Sequence, residues 1–451
     1  MARQLFGTDG IRGVAGEYPL DPRTVHAMGA ALAEWAVTRH GADPVILIGM
    51  DTRESGSWLA AGLAGGAAPS GVEFRFAGLI TTPGVAHLAK MGDFAAGVMI
   101  SASHNPYQDN GVKVFDHSGF KLPDSEELAL ERRIFTLLGS GLQPHPASLD
   151  IDSGLGQTYL NFLGSTLPCR LDRVRLVVDC ANGAATYLAP ELFRSLGAEV
   201  IPIGCNPDGR NINLDCGALH TDQLRQRVLD SGAVAGIAFD GDADRAILVS
   251  PSGRIIDGDA MMLILAGKLH SESKLGDRDG LPTVVATIMS NYGLEAALKD
   301  KGIRLLRTSV GDKYVLEEML RTGAVLGGEQ SGHMILSQYA TTGDGMLTAL
   351  RVLEVMRESG QSLDSLAAGL KVFPQLLVNV RVKNKRPLEE LSAVQDEIRL
   401  AMAEFNGAGR VVVRFSGTEP LARVMVEGPV LERVEHFAHR IARSIEAELS
   451  A

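Results

Sequence analysis

Short apolar runs separated by polar or glycine-rich breaks recur along the chain, and their spacing predicts alternating strands and helices. VILIGM (45–50), VEFRFAG (72–78) and AGVMIS (96–101) read as strands with helix-compatible segments between them, the rhythm of successive βαβ units. RLVVDC (175–180), AEVIPIG (198–204) and VAGIAF (234–239) repeat the triplet, and TVVATI (283–288), IRLLRT (303–308) and AVLG (324–327) give it a third time. Ahead of the first triplet, apolar positions at helical spacing predict a helix from Pro22 to Arg39 capped by Asp21. After Gly360 the pattern changes. LLVNVRV (376–382) reads as a strand and Pro387 to about Phe405 as a helix. RVVVRF and LARVMVEG then flank Ser416-Gly417-Thr418-Glu419-Pro420 as a hairpin, and Leu431 to Leu449 forms a closing helix. The expected fold is therefore three similar α/β domains followed by a small α+β domain, with boundaries at 1–150, 151–255, 256–370 and 371–451.

The third strand of each triplet runs into a polar loop, and the loops carry the candidate chemistry. In GVMISASHNPYQDNGVKVF (97–115), Pro106 lacks an N–H and cannot extend a ladder, so Ser103 stands at a strand's carboxyl end, where open α/β sheets keep their ligand crevice. His104 and Lys113 beside it suit a charged oxyanion, although a plain polar turn would look similar. Asp240, Asp242 and Asp244 alternate in one short loop, so three carboxylates can converge on a hard cation such as Mg²⁺. An EF-hand is excluded, because position six is Arg245 and position twelve is Pro251. Gly327 to His333 offers Glu329, Ser331 and His333 on a mobile backbone, groups that hold sugar hydroxyls. In the last hairpin Arg414, Ser416, Gly417, Thr418 and Arg423 put two guanidinium forks and two hydroxyls around a tight turn, which is how a phosphate is gripped. The opening FGTDGIRG gathers glycines around Thr8, Asp9 and Arg12, a loop whose backbone can approach a ligand closely.

Composition narrows the class. With 451 residues the chain is too long for one core. A net charge of −11 gives no general attraction to nucleic acid or to an anionic membrane, so an anionic ligand must be held by local basic residues. The four cysteines form no C-x-x-C pair and read as reduced thiols of a cytoplasmic protein, with no zinc site. The N-terminus has no signal-like apolar region and no run is long enough to span a membrane.

FGTDGIRG, ISASHNP, DGDADR, GGEQSGH and RFSGTEP, in this order over nearly the whole chain, resemble the motifs of the α-D-phosphohexomutase superfamily. Gln330 within GEQSGH resembles the bacterial amino-sugar branch more than the phosphomannomutase/phosphoglucomutase branch. The resemblance implies mixed-sheet α/β domains and a TATA-binding-protein-like C-terminal domain around a central cleft. It implies an isomerase-class phosphotransferase that interconverts glucosamine 6-phosphate and glucosamine 1-phosphate, feeding UDP-N-acetylglucosamine synthesis. The route is a phosphoserine at Ser103 and a glucosamine 1,6-bisphosphate intermediate. One Mg²⁺ is implied on Asp240, Asp242, Asp244 and a phosphoserine oxygen. Arg12, His104, Lys113, Arg245 and His333 are implied as acid/base groups or charge stabilisers. Glu329 and Ser331 are implied as sugar contacts, and Arg414, Ser416, Gly417, Thr418 and Arg423 as phosphate contacts. A homodimer, and priming of Ser103 by a kinase or by autophosphorylation, are implied as well. Three other readings stand beside it: a phosphomannomutase/phosphoglucomutase of the same superfamily, an aspartyl-phosphate phosphotransferase with Asp240 as nucleophile, and a non-catalytic sugar-phosphate sensor.

Overall fold

The apolar runs form strands that stop where the polar loops begin. The computed structural model describes residues 4–7, 9–415 and 420–449. In the first domain the strands are β1 (Ile11–Val14), β2 (Val45–Met50), β3 (Glu73–Leu79), β4 (Ala96–Ile100) and β5 (Asp109–Asp116), in the order β1-β5-β4-β2-β3. The second sheet holds β6 (Arg175–Asp179), β7 (Glu199–Ile203), β8 (Ala235–Phe239), β9 (Ala246–Val249) and β10 (Ile255–Ile256), ordered β10-β9-β8-β6-β7. The third contains β11 (Thr283–Thr287), β12 (Arg304–Thr308), β13 (Leu326–Gly328) and β14 (Met334–Leu336), ordered β12-β11-β13-β14.

The three sheets share one scheme. The third strand of each triplet lies parallel to the first, β4 to β2, β8 to β6 and β13 to β11, and then turns back into an antiparallel neighbour. The hairpins β4–β5, β8–β9 and β13–β14 are therefore equivalent, and their loops are the three polar loops expected from the sequence. The strands β4, β8 and β11 are buried at every residue, as strands covered on both faces must be, which is why they read as continuous apolar runs.

The returning strands were not anticipated. β5 begins in turn-like Asp109-Asn110-Gly111 and carries Lys113, so it reads as more loop, while β9 and β14 are too short to show a period. The FGTDGIRG segment likewise departs from a simple loop, because Ile11–Val14 pairs antiparallel with β5, setting Arg12 opposite Gly111. The helix Pro22–His40 forms as expected: Pro22 needs no N–H at the first position, and the Asp21 side chain accepts from Arg23 N and Thr24 N.

The chain divides into two compact units, Met1–Ile288 with Leu306–Ala367, and Met289–Leu305 with Ala368–Ala451. In the second unit β15 (Gln375–Arg381), β16 (Arg410–Phe415) and β17 (Leu421–Glu427) form an antiparallel sheet, ordered β15-β17-β16. Val424 and Val426 of this sheet pack with Ile441 and Ile445 of the closing helix Leu431–Leu449. The helix Tyr292–Lys299 joins the same unit through buried Glu427, which accepts from Tyr292 N at 2.7 Å and from Arg410 Nε at 2.6 Å. No helix among the described residues is long and apolar enough to cross a membrane.

Candidate active site

The β4–β5 loop and the β8–β9 loop meet at Ser103. Its hydroxyl donates to Asp240 Oδ2 at 2.6 Å and stands 3.4 Å from His104 Nδ1. The carboxylates of Asp240, Asp242 and Asp244 each offer an oxygen within 4.8 Å of the others, the one such cluster among the described residues. The acidic loop sits where it does because backbones touch. A Cβ on Gly241 would lie 2.4 Å from Ser103 O, and one on Gly183 would lie 2.3 Å from Gly241 O, so glycine is needed at both positions. Thr82 closes the other side: its N–H donates to Asp242 O at 3.1 Å and its hydroxyl to Asp242 Oδ2 at 2.5 Å.

Three buried anions this close demand positive charge. Burial, then the negative charge of Asp244 and Asp242, pushes the Asp240 carboxyl well above the usual carboxylate range, with Arg245 opposing. Burial also acts on Asp244, but His333, Lys113 and Arg245 outweigh it and hold that carboxyl far below the usual range. Lys113 is 1% exposed and pairs with Asp242 at 2.8 Å and Asp9 at 3.0 Å. Burial disfavours its charge, yet Asp242, Asp9 and Asp244 together raise its pKa, so it serves the carboxylates as a fixed cation. Buried Asp242 Oδ1 and Asp244 Oδ1 accept no hydrogen bond. Orphaned oxygens in an all-oxygen donor set fit a hard divalent cation of the Mg²⁺ class.

These loops open on a cleft of about 400 Å³, whose lining includes Asp9, Arg12, Ser103, His104, Asp244, Arg245, Asp312, Glu329 and His333. That is a volume suited to a small ligand. The β13–β14 loop is joined to the acidic loop by a bridge between Arg245 and His333 and by Ala246 N donating to Gly332 O at 3.1 Å. Glu329 is held by Gly311 N, which donates to its Oε1 at 3.1 Å. Burial lowers the His104 pKa and neighbouring Arg245 and Arg12 lower it further, leaving a neutral imidazole near neutral pH. For His333, burial is outweighed by Asp244 and Asp312, which raise the pKa. The hydrogen bonding points the other way at one nitrogen: Gly343 N donates to Nε2 at 3.0 Å, while Nδ1 faces Asp244 at 3.5 Å. Nε2 is thus proton-free in this arrangement, with the proton on Nδ1, and the ring gains its charge only by giving up the Gly343 contact.

The remaining expected residues fall as follows. Asp240, Asp242 and Lys113 lie behind the cleft wall, and Ser331 is exposed outside the lining. Arg414 and Arg423 belong to the C-terminal unit, directly opposite one another on β16 and β17. Ser416, Gly417 and Thr418 lie outside the described residues. Gln330 turns its amide toward Asp257, the cap of the helix Gly258–Ser271, at 3.4 Å and is not among the residues lining the cleft. Asp240 is 1% exposed, with Oδ2 accepting from Ser103 and Oδ1 from Arg245 N, a poor position for a nucleophile.

Sequence reasoning named Asp9 without its partners and missed Lys121, Asp312, Asp51 and Arg53. Asp9 pairs with Arg12 at 2.5 Å and with Lys113. Lys121 bridges Asp9 and Asp312 at 2.5 Å each, and Asp312 stands 3.8 Å from His333. Asp51 and Arg53 follow β2 just as Ser103 follows β4, so the strand-end rule that singled out Ser103 would have found them too.

Comparison with known proteins agrees with this arrangement. Models of the phosphoglucomutase/phosphomannomutase family match four successive stretches: alpha/beta/alpha domain I over 3–138, domain II over 157–253, domain III over 257–373 and the C-terminal domain over 377–444. A phosphoglucosamine mutase of Solibacter usitatus is 59% identical, with all of both chains covered. A phosphoglucomutase/phosphomannomutase family protein of Burkholderia thailandensis superposes with a TM-score of 0.80 at 24% identity, over 98% of this chain and 97% of that one. Aspergillus fumigatus N-acetylphosphoglucosamine mutase, solved with GlcNAc-6P and magnesium, gives 0.65 at 19% identity over 98% and 96%. Motif order, repeated hairpins and full-length identity lead to one conclusion: the chain belongs to the phosphoglucosamine mutase family of the α-D-phosphohexomutases.

Proposed function

We propose that the cleft interconverts glucosamine 6-phosphate and glucosamine 1-phosphate, with Ser103 as phosphate carrier. The observation that carries this reading is the Ser103 hydroxyl, 2.6 Å from one carboxylate of a cation-ready trio, on a residue that lines the cleft together with Arg12 and Arg245. Phosphoryl transfer asks the protein chiefly for positioning and charge neutralisation, which this arrangement supplies.

In the forward half-reaction the bond between phosphorus and Ser103 Oγ breaks and a bond to the sugar O1 forms. The O1 proton passes to a base, for which neutral His104 is the candidate beside the serine. After the resulting glucosamine 1,6-bisphosphate has turned around, its 6-phosphate returns to Ser103 Oγ, and the released O6 takes up a proton. Arg12 and Arg245 stabilise the charge on the transferring group, and Glu329 and Ser331 hold sugar hydroxyls. Asp240, Asp242, Asp244 and a phosphoserine oxygen would hold one Mg²⁺, whose chemistry is to neutralise charge on the phosphoryl oxygens. That Aspergillus fumigatus N-acetylphosphoglucosamine mutase was solved with GlcNAc-6P and magnesium supports the two ligand classes, a hexosamine phosphate and a magnesium ion. On the C-terminal unit Arg414 stands opposite Arg423 on neighbouring strands, and these two guanidinium groups with Ser416, Gly417 and Thr418 are the residues for a phosphate dianion. The domains run 1–150, 151–255, 256–370 and 371–451, and the enzyme acts as a cytoplasmic homodimer.

A coupled assay on one preparation, comparing glucosamine, glucose and mannose 6-phosphates with magnesium and a trace of bisphosphate, tests the reading. Turnover highest with the amino sugar is expected. Higher turnover with mannose or glucose phosphate would move the protein to the other branch, and none with any sugar would leave a sensor.

A further inference from the structure

Arg53 and Asp51 have no part in the chemistry above, yet both are fully buried against the Ser103 loop. The Arg53 guanidinium is spread over backbone oxygens of that loop. Nη2 donates to Ser103 O at 2.9 Å and to Asn105 O at 2.8 Å, while Nη1 donates to Asp109 O at 2.9 Å and to Pro106 O. Its Nε donates to Asp51 Oδ2 at 2.9 Å. The same carboxylate oxygen accepts from Ser101 Oγ at 2.6 Å, and Ser101 Oγ in turn accepts from Ser103 N at 2.9 Å. Both backbone polar groups of Ser103 are thus tied, directly or through Ser101, to one buried ion pair.

The tie matters because Ser103 has φ of +52°, a left-handed conformation that a residue with a side chain adopts only under constraint. Released, the residue relaxes toward negative φ, and its hydroxyl swings away from the acidic trio. A planar fork reaches four carbonyls at once, which the single ammonium of lysine does not. We propose that Asp51 and Arg53 are positioning residues that lock Ser103 in its left-handed conformation and so aim its hydroxyl at the carboxylates. This rests on the reading of Ser103 as carrier.

The test is Arg53→Lys, which keeps the charge and removes the fork. Melting temperature, KM, kcat and Ser103 phosphate stoichiometry after incubation with glucose 1,6-bisphosphate are read together. A misplaced reacting atom costs about 100-fold, so kcat and the rate of Ser103 phosphorylation should both fall by about that factor while KM stays within about 3-fold. A kcat per folded molecule within 3-fold of wild type overturns the proposal, since a purely structural role lowers only the folded fraction. Should Arg53→Lys fail to fold, Ser101→Ala removes the second tie and leaves the ion pair and the guanidinium fork in place. It should lower kcat about 10-fold with KM unchanged, and an unaltered kcat overturns the proposal. Failure of the carrier reading is separate: label from the bisphosphate on wild-type protein then maps away from Ser103. The lock is still judged by a crystal structure of Arg53→Lys, where a retained positive φ at Ser103 refutes it.

Discussion

Asp240→Asn separates two effects of one carboxylate. Without a cation, Asp240 adds a third negative charge to a site whose other two anions lie within 4.8 Å. At an effective dielectric of about 20, each such pair costs on the order of 3 kcal/mol. Arg245 and the Ser103 hydroxyl offset part of this, and the raised pKa of Asp240 marks what remains. Asparagine keeps an acceptor for Arg245 N and removes the charge, so with EDTA the variant should be more stable than wild type by about 1–3 kcal/mol. Magnesium should reverse the order. A cation bound only by the native protein stabilises it by about 2.7 kcal/mol at a hundred-fold excess over Kd, and the variant, short of one ligand charge, should gain little. Thermal melts of both proteins at pH 7.5, in EDTA and across a magnesium titration, read both effects. A variant that melts several degrees below wild type in EDTA, or that gains as much from magnesium, would refute the reasoning.

Ser103→Ala should fold with an unchanged melting curve and lose nearly all turnover; peptide mapping of wild type should find phosphate on Ser103 and none on Ser101, whose buried hydroxyl is committed to Asp51. Asp344 accepts from Tyr159 Oη and caps the helix Gly345–Ser359, and burial pushes its carboxyl up to about 6. Against about 3.9 unfolded, the folded protein holds the extra proton between those values, so stability falls as pH rises from about 4 to 6, by about 3 kcal/mol. Asp344→Asn should remove that slope, and denaturant melts of both proteins across pH 4–7 give the difference. Gly183→Ala should press a methyl group onto Gly241 O, costing about 1–3 kcal/mol and weakening magnesium binding; calorimetric titration checks the second effect.

Much of this site was legible one loop at a time. Ser103, the carboxylate trio and the Glu329–His333 loop each follow an apolar strand, and a polar break after a buried run is a local feature of the chain. The returning strands were less visible, since β5 buries Lys113 against Asp9 and Asp242, and a lysine read as facing a ligand oxyanion shows these carboxylate partners only once the fold brings them together. Gln330 shows the same limit: the sequence tied it to a branch of the family and left its partner open, which the fold supplies as Asp257.

Taken alone, the sequence determined the three repeated α/β units, the antiparallel C-terminal hairpin and the polar loops that end the strands, because side-chain periodicity and chain breakers act within a few residues. Tertiary structure alone decided which charges neutralise which. Lys113 serves the Asp242 carboxylate 129 residues away, Arg53 reaches carbonyls 50 to 56 residues on, and Lys121 meets Asp312 across 191. Charge pairing falls off over a few ångströms in space, and those distances are set by how the strand ends pack, which no local pattern records.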